Sequence, residues 1–331
     1  MKVAVFSTKS YDQEYLEKMN ADFGHEITYF DTPLNPLTTD LAIGFDAVCV
    51  FVNDKIDQET LRKLAKDQVK IVALRCAGYN NVDLKTALEN NIKVVHVPSY
   101  SPEAVAEHAL ALILTLNRKT HKAYNRVREG NFSLDNLIGF NLHNKAVGVI
   151  GTGEIGSAFC KIMMGFGCRV LAHDIHQSEK LIDSGVEYTS LEELFSGSDI
   201  ISLHCPLNTD THHLINKQAF SLMKKGVMII NTGRGALIHT PDVIHALKSK
   251  KIGYLGLDVY EQEAELFFND LSESVIEDEL ILRLLSFPNV LITSHQGFLT
   301  KEALSQIALT TLENLSDFEN DLPLKNEVKT R

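Results

Sequence analysis

The chain has 331 residues, 44% of them hydrophobic, which is more than one core usually accommodates, so two domains are expected. Its 43 acidic residues outnumber 32 Lys and Arg residues, giving a formal charge of -11 that argues against nucleic-acid or anionic-membrane surfaces. Five scattered cysteines without metal-like spacing, and a start lacking signal-peptide features, predict reduced thiols, no metal site, no membrane segment and a cytoplasmic location.

The first hundred residues alternate short β-branched runs with amphipathic helical segments. The strand-like runs are KVAVF, AVCVF (47–51), KIVAL (70–74) and KVVHV (93–97). Helices are predicted between them, near 11–19, 58–66 and 82–89. Such alternation is typical of βαβ units, which build a parallel sheet.

A second series of strands begins at AVGVI (146–150), after a predicted helix that starts near Pro98 and Pro102 and ends near Arg118. The series continues through RVLAHD, DIISLH, VMIIN, YLGLDV and NVLITS, and one more helical segment, KEALSQIALTTLENLSDFEND, follows. We therefore predict two α/β lobes joined by a connector helix.

A glycine fingerprint, GTGEIG (151–156), lies between a predicted strand and a predicted helix. Gly151 would permit the tight turn, Gly153 the approach of a pyrophosphate to the helix N-terminus, and Gly156 close packing of helix on strand. Asp174 ends the next strand and could accept hydrogen bonds from both ribose hydroxyls while repelling a 2'-phosphate. This context favours NAD binding over the alternative, a structural turn with a surface aspartate.

Three polar residues follow successive strands of the second series. Arg234 lies in NTGRGAL (231–237), Glu263 in LDVYEQE (257–263) and His295 in SHQGF (294–298). An arginine can hold a substrate carboxylate, a histidine can exchange a proton near neutral pH, and a carboxylate can orient that histidine. Each residue alone could be solvated, but together at strand ends they indicate one site.

These motifs, with RCAGYNNVDL (75–84) and VPSYSPEAVAEHAL (97–110), resemble the D-isomer-specific 2-hydroxyacid dehydrogenase family over essentially the whole chain. Within the family, the chain is most similar to bacterial fermentative D-lactate dehydrogenases. Two features carry that similarity: the long segment 264–285 after Glu263, and the aromatic pair Tyr100 and Phe298.

The resemblance implies that Arg234 binds and polarises a 2-keto acid, that His295 is the general acid/base, and that Glu263 favours the proton-bearing form of His295. In this interpretation, Gly235 leaves room for Arg234 to turn inward. The substrate carboxylate and methyl groups would contact five further residues, namely Ala77, Gly78, Tyr79, Tyr100 and Phe298. For Tyr100, hinge packing is the alternative role.

The resemblance also implies a set of contacts to NAD. It assigns the pyrophosphate to Glu154 and Ile155, the adenosine ribose to Asp174, the adenine side to Cys205 and Pro206, the nicotinamide ribose to Thr232 and Gly233, and the carboxamide to Asp258. Cys205 would be a small wall residue and not a redox centre. Thr211 departs from the asparagine that some relatives carry, which leaves that cofactor contact open.

The fold implied is two doubly wound, Rossmann-like parallel-sheet domains. Residues 1–99 and 299–331 would form a flavodoxin-like substrate domain, and residues 100–298 the NAD-binding domain, with closure between them excluding water. The resemblance further implies a homotetramer or homodimer that associates through the connector helix.

The function expected from the resemblance is the reversible NADH-dependent reduction of pyruvate to D-lactate in fermentation. One alternative is a dehydrogenase for a bulkier 2-keto acid, or for glycerate or glyoxylate. A remote alternative is an NADH-sensing binding protein similar to the corepressor relatives of the family. Catalytic turnover would distinguish the enzymes from the binding protein.

Overall fold

Two units make up the chain in this computed structural model, which describes residues 1–263 and 266–329. One unit contains Met1–Ser101 and Leu299–Arg331, and the other contains Pro102–Phe298. Ala264 and Glu265, the first residues of the predicted distinguishing segment, lie outside the described residues. Among the described residues, no helix has the length and apolar character needed to cross a membrane.

The first unit is a parallel five-stranded sheet covered by helices. Its elements are β1 (Lys2–Val5), α1 (Ser10–Asn20), β2 (Glu26–Tyr29), a 3-10 turn (Thr39–Ala42), β3 (Ala47–Val50), α2 (Gln58–Lys66), β4 (Ile71–Leu74), α3 (Leu84–Glu89), β5 (Lys93–Val95) and α12 (Lys301–Glu319). The strand order β2-β1-β3-β4-β5 is the flavodoxin-like order.

Burial explains why the central strands of this sheet are continuous apolar runs. Every residue of β3 and β4 is buried, as expected where helices cover both faces of a parallel sheet. The C-terminal helix α12 packs against α1 and β4, and its Leu312 joins Val3 and Val5 in the core of this unit. The helix α12 therefore belongs to the first unit and covers part of its sheet.

The second unit is a parallel seven-stranded sheet with helices on both faces. Its elements are α4 (Pro102–Arg118), α5 (Thr120–Arg128), β6 (Ala146–Ile150), α6 (Glu154–Gly165), β7 (Arg169–His173), α7 (Glu179–Asp183), β8 (Glu187–Tyr188), α8 (Leu191–Gly197), β9 (Ile200–Leu203), α9 (Lys217–Leu222), β10 (Val227–Asn231), a 3-10 turn (Gly235–Leu237), α10 (Thr240–Lys248), β11 (Ile252–Leu257), α11 (Glu279–Leu285) and β12 (Val290–Ile292).

The strand order of this sheet, β12-β11-β10-β9-β6-β7-β8, is the dinucleotide-binding order extended by one strand. Separate apolar clusters on its two faces include Ile229 and Leu255 on one and Val149 and Phe159 on the other. The predicted fold class, two doubly wound parallel sheets, is confirmed. Within the described part of the chain, the strands β2 and β8 and the helix α5 were not predicted, and the helices α7 to α11 were not placed individually.

Candidate active site

The loops that follow five neighbouring strands meet at one edge of the second sheet. The strands β12, β11, β10, β9 and β6 lie side by side and run parallel, so their carboxyl ends share that edge. The strand order reverses between β6 and β9, where sheets of this kind bind ligands. The predicted site residues on these loops are Gly151, Cys205, Thr232, Asp258 and His295.

The turn after β6 has the geometry of a dinucleotide-binding loop. Gly151 has a φ of +91°, and a Cβ there would lie 2.5 Å from the backbone nitrogen of Cys205. A Cβ on Gly156 would overlap the carbonyl oxygen of Gly151, so α6 packs on the turn only because residue 156 is glycine. A Cβ on Gly153 would meet no heavy atom within 4 Å, so open space adjoins the N-terminus of α6.

Two features of this edge fit a bound dinucleotide. The space at Gly153 faces the first turn of α6, where Glu154 and Ile155 begin a helix of 12 residues whose N–H groups can bind phosphate. In addition, the hydroxyl of Thr232 is buried and forms no hydrogen bond within the described part of the chain. A buried hydroxyl without a partner is uncommon and is explained by a ligand that supplies one.

Asp174 lies just beyond β7 and is held against the glycine turn. Its Oδ2 accepts hydrogen bonds from the backbone nitrogen and the hydroxyl of Thr152, at 2.6 and 3.2 Å, and its Oδ1 accepts from the nitrogen of His176 at 2.9 Å. Burial raises the pKa of this carboxyl, but the hydrogen bonds outweigh burial, and the net shift is downward. Asp174 is therefore an anion at neutral pH, as the predicted preference for NAD requires.

The loop after β9 carries Cys205 and the exposed Pro206. Burial raises the pKa of the Cys205 thiol to about 11, which keeps it protonated and unreactive. The Thr211 hydroxyl donates to the carbonyl of Pro206 at 2.6 Å, so threonine at this position shapes the loop. Burial lowers the pKa of His204 to about 3, and this neutral imidazole contacts the hydroxyl of Ser202.

A buried asparagine that was not predicted fixes the turn carrying Arg234. The Asn231 side chain donates to the carbonyl of Arg234 at 2.9 Å and accepts from the nitrogen of Gly233 at 3.0 Å. Nη1 of Arg234 donates to the carbonyl of Gly233 at 2.8 Å. Glycine is required at position 235 for a reason other than the expected one, because a Cβ there would overlap the carbonyl group of Tyr260.

His295 and Glu263 are in direct contact. Nδ1 of His295 lies 2.9 Å from Oε1 of Glu263, and Oε2 of Glu263 accepts a hydrogen bond from the nitrogen of Tyr260 at 2.8 Å. His295 has a φ of +54°, a conformation that histidine adopts more readily than most residues and that is common at functional sites. With Nδ1 held by the carboxylate, Nε2 is the nitrogen that can exchange a proton with a substrate.

Asp258 organises the loop that carries His295. Its buried carboxylate, 1% exposed, accepts hydrogen bonds from the nitrogens of Gln296 and Gly297 and from the hydroxyl of Thr293, at 2.8, 2.8 and 2.5 Å. His108 of α4 lies 3.2 Å from its Oδ1. Burial raises the pKa of Asp258, but hydrogen bonds from His108, Thr293 and Gln296 give a net downward shift.

The role of His108 was also not predicted, although its motif was recognised. It lies on a helix 185 positions before Thr293, whose hydroxyl is 3.1 Å from its Nε2. No local pattern in the sequence connects these positions. Their proximity depends on the packing of α4 against β11 and β12.

The predicted substrate loop in the first unit is supported by its own hydrogen bonds. Nδ1 of His96 lies 2.8 Å from the carbonyl of Ala77, and the thiol of Cys76 donates to the carbonyl of Gly78 at 3.2 Å. The rings of Tyr79 and His96 meet edge to face. Tyr100 also belongs to this unit, whereas the buried Phe298 belongs to the second. Contact of these residues with substrate stays a prediction.

Comparison with known proteins agrees with this geometry. D-lactate dehydrogenase of Escherichia coli is 54% identical over 99% of this chain and 100% of its own length. The solved structure of the pyruvate reductase of Chlamydomonas reinhardtii has a TM-score of 0.93 at 45% identity, covering 98% of both chains. D-lactate dehydrogenase of Aquifex aeolicus, solved with NAD and lactic acid, has a TM-score of 0.88 at 35% identity and covers 99% of both chains.

The family model described as the NAD-binding domain of D-isomer specific 2-hydroxyacid dehydrogenases matches residues 110–297. These residues contain the glycine turn, Asp174, Arg234 and the contact between Glu263 and His295. The predicted family and the predicted cofactor, NAD, are confirmed. The chain belongs to the NAD-dependent D-isomer-specific 2-hydroxyacid dehydrogenases.

Proposed function

We propose that the chain catalyses the reversible NADH-dependent reduction of pyruvate to D-lactate. The observation that carries this proposal is the contact between Nδ1 of His295 and Oε1 of Glu263, at the same sheet edge as Arg234 and the dinucleotide turn. Relatives named D-lactate dehydrogenase and pyruvate reductase, similar over almost the full chain, support it.

Arg234 binds the substrate as an anion in this proposal. Its guanidinium is planar and permanently charged, and it can present two N–H groups to a carboxylate or polarise the adjacent keto oxygen. The hydrogen bond from Nη1 to the carbonyl of Gly233 restricts the orientation of the group. Asn231 fixes the turn that carries this positive charge through its hydrogen bond to the carbonyl of Arg234. The local positive charge matters because the protein as a whole has a net charge of -11 and does not attract anions.

His295 supplies the proton that the reduced oxygen requires. In the direction of pyruvate reduction, protonated Nε2 donates to the keto oxygen, which becomes the hydroxyl group of the product. In the reverse direction, neutral Nε2 accepts that proton. Glu263 holds Nδ1 in both directions and balances the charge of the imidazolium, because a neighbouring carboxylate favours the protonated form of an imidazole.

When bound, NADH supplies the hydride that the keto carbon accepts. We assign its pyrophosphate to the turn formed by Gly151, Gly153, Glu154, Ile155 and Gly156, and its adenosine ribose to Asp174. Cys205 and Pro206 adjoin its adenine in this assignment, Thr232 and Gly233 its nicotinamide ribose, and Asp258 its carboxamide. The open space at Gly153 and the unpartnered hydroxyl of Thr232 support the assignment.

The first unit contributes to the substrate site in this proposal. Backbone N–H groups of Ala77, Gly78 and Tyr79 bind the substrate carboxylate, and Tyr100 and Phe298 surround its methyl group. The hydrogen bonds that fix the carbonyls of Ala77 and Gly78 support a preformed loop.

Steady-state rates with pyruvate, phenylpyruvate and glyoxylate test the substrate assignment. We expect kcat/KM to be highest with pyruvate, because the relatives that are similar over almost the full chain are named D-lactate dehydrogenase and pyruvate reductase. A clear preference for phenylpyruvate or glyoxylate would contradict pyruvate as the substrate. NADH binding without turnover of any of the three acids would contradict an enzymatic role.

We further propose that the protein acts in the cytoplasm as a homodimer or homotetramer. The five cysteines are free thiols, as is typical of a reducing compartment. Beyond α5, Phe132, Leu134 and Ile138 are 74, 79 and 85% exposed, and large exposed apolar side chains that follow closely in one segment are expected at a subunit interface. Sedimentation of the purified protein tests this, since a monomer at micromolar concentration would contradict it.

A further inference from the structure

Glu261 lies two positions before Glu263 and has no role in the assignments above. Its Oε1 is 2.5 Å from Nε2 of His213, and its Oε2 accepts hydrogen bonds from the hydroxyl and the nitrogen of Thr240, at 2.9 and 3.2 Å. His213 lies in the loop after β9, and Thr240 is the first residue of α10. One carboxylate therefore joins three segments that are far apart in sequence.

His213 is itself attached to the loop that carries Arg234. It has a φ of +53°, and its backbone nitrogen donates to the carbonyl of Ala236 at 2.8 Å. Residue 236 lies two positions after Arg234, inside the 3-10 turn that closes the arginine loop. His213 therefore contacts the arginine loop through its backbone and the turn that holds Glu263 through its imidazole.

The turns that carry Arg234 and Glu263 also touch directly. A Cβ at Gly235 would overlap the carbonyl of Tyr260, so the two backbones pack without space for a side chain. The nitrogen of Tyr260 then donates to Oε2 of Glu263. A displacement of the turn at residues 260 and 261 would therefore move both the carbonyl group against Gly235 and the carboxylate that holds His295.

The charges around this junction favour an ionised Glu261. Burial raises the pKa of its carboxyl, but the hydrogen bonds from His213 and Thr240 give a net downward shift. The His213 ring contacts the tilted rings of His212 and His239, with centroids 3.8 and 4.7 Å away. Asp242 lies 2.9 Å from Nδ1 of His239 and supplies a second carboxylate near these rings.

We propose that the His213–Glu261 pair is a positioning element that holds the turn of Glu263 in register with the turn of Arg234. Neither residue touches substrate in this proposal. The pair acts through Arg234 on substrate binding and through Glu263 on the proton exchange of His295. The inference rests on the function proposed above, since it assigns the pair a task in the same reaction.

The test is a double-mutant cycle of His213→Ala and Glu261→Ala, with pyruvate as substrate. Each single variant is expected to raise KM for pyruvate about tenfold, equivalent to about 1.4 kcal/mol. Each is also expected to lower kcat about threefold or more, because the turn that holds Glu263 loses its support, while Kd for NADH stays at the wild-type value. The double variant is expected to be no worse than either single variant, because the two side chains act as one unit.

Conservative variants distinguish positioning from general loss of structure. His213→Gln keeps an N–H donor for Glu261 and is expected to restore most of the wild-type KM. His245→Ala removes an exposed histidine from α10 and is expected to change neither KM nor kcat. If His213→Ala does not fold, the same two constants are measured for Glu261→Gln, which keeps the side-chain volume and loses the charge.

Wild-type values of KM and kcat in Glu261→Ala would overturn the inference. Effects of the single variants that multiply in the double variant would also overturn it. These outcomes differ from failure of the proposed function, which is measured on the wild-type protein. If the wild type prefers another 2-keto acid, the same ratios are taken with that acid. If the wild type reduces none, the proposed function and the inference both fail.

Discussion

Nδ1 of His295 lies 2.9 Å from Oε1 of Glu263, although the two residues are 32 positions apart in the chain. They reach each other because they follow β11 and β12, which are neighbours in the sheet. The contact leaves Nε2 for the substrate and places a negative charge beside the imidazole.

Glu263→Gln tests the electrostatic part of this relationship. The amide oxygen can still accept from Nδ1, but the charge that favours the protonated imidazole is gone. Because proton exchange by the imidazole is expected to weaken, kcat/KM for pyruvate should fall about tenfold or more. Steady-state rates of both proteins at pH 7 measure the change, and a wild-type kcat/KM in the variant would contradict the role given to Glu263.

Arg234→Lys keeps the positive charge and removes the planar pair of donors. Because a lysine presents a point charge and not a fork, KM for pyruvate is expected to rise about tenfold or more. The affinity for NADH, measured by fluorescence titration, should not change. Weaker NADH binding with an unchanged KM would place Arg234 on the cofactor and not on the substrate.

Gly153→Ala and Gly156→Ala form a matched pair that separates cofactor binding from folding. A methyl group at residue 156 would overlap the Gly151 carbonyl, so this variant is expected to lose about 1–3 kcal/mol of unfolding free energy. A methyl group at residue 153 meets no protein atom. Gly153→Ala should therefore lose at most about 1 kcal/mol of unfolding free energy, the cost of alanine at a helix N-cap, and bind NADH about tenfold or more weakly.

Thermal unfolding without ligand and NADH titration give the two readouts for this pair. A Gly153→Ala variant destabilised as much as Gly156→Ala would show that Gly153 is needed for folding. Wild-type NADH affinity in a stable Gly153→Ala variant would show that the pyrophosphate does not pass there.

Asp258→Asn tests the loop that carries His295 through the pH dependence of stability. Hydrogen bonds lower the pKa of this carboxyl in the folded protein. Its stabilisation is therefore present above the unfolded pKa of about 3.9 and is lost as pH falls through the folded pKa. At pH 7 the variant is expected to be about 1–3 kcal/mol less stable than the wild type, since a buried N–H loses its acceptor.

Urea unfolding from pH 7 to pH 3 measures this difference for Asp258. The difference in unfolding free energy between the wild type and Asp258→Asn is expected to decrease as the solution becomes more acidic. A difference that stays constant or widens on acidification would contradict the ionised, hydrogen-bonded carboxylate.

The sequence predicted most of the strands because buried parallel strands are continuous apolar runs. The strand β2 was missed because it alternates exposed and half-buried residues, and β8 because it has two residues. The end of α4 near Arg118 was predicted, but α5 was missed, because none of its residues is buried and no core-facing apolar pattern marks it.

The site residues that directly follow a strand could be predicted from the sequence. Those whose partners are brought close by tertiary packing could not. The contact between His295 and Glu263 was expected from their places in the chain and their chemistry. The roles of His108 and Glu261 were not, because their partners Asp258 and Thr240 lie on segments that only the folded sheet brings close to them. Gly235 shows the same limit, since its neighbour, the carbonyl of Tyr260, is 25 positions away. The role of Asn231 was missed although its partners, Gly233 and Arg234, belong to the same turn.

The central claim is that His295 and Arg234 direct the reduction of pyruvate to the D-isomer of lactate. The most direct measurement is oxidation of NADH by the purified protein with pyruvate, followed by chiral chromatography of the product. D-lactate, formed in equal amount to the NADH consumed, is the predicted result. L-lactate, a racemic mixture, or consumption of NADH without lactate would contradict the account.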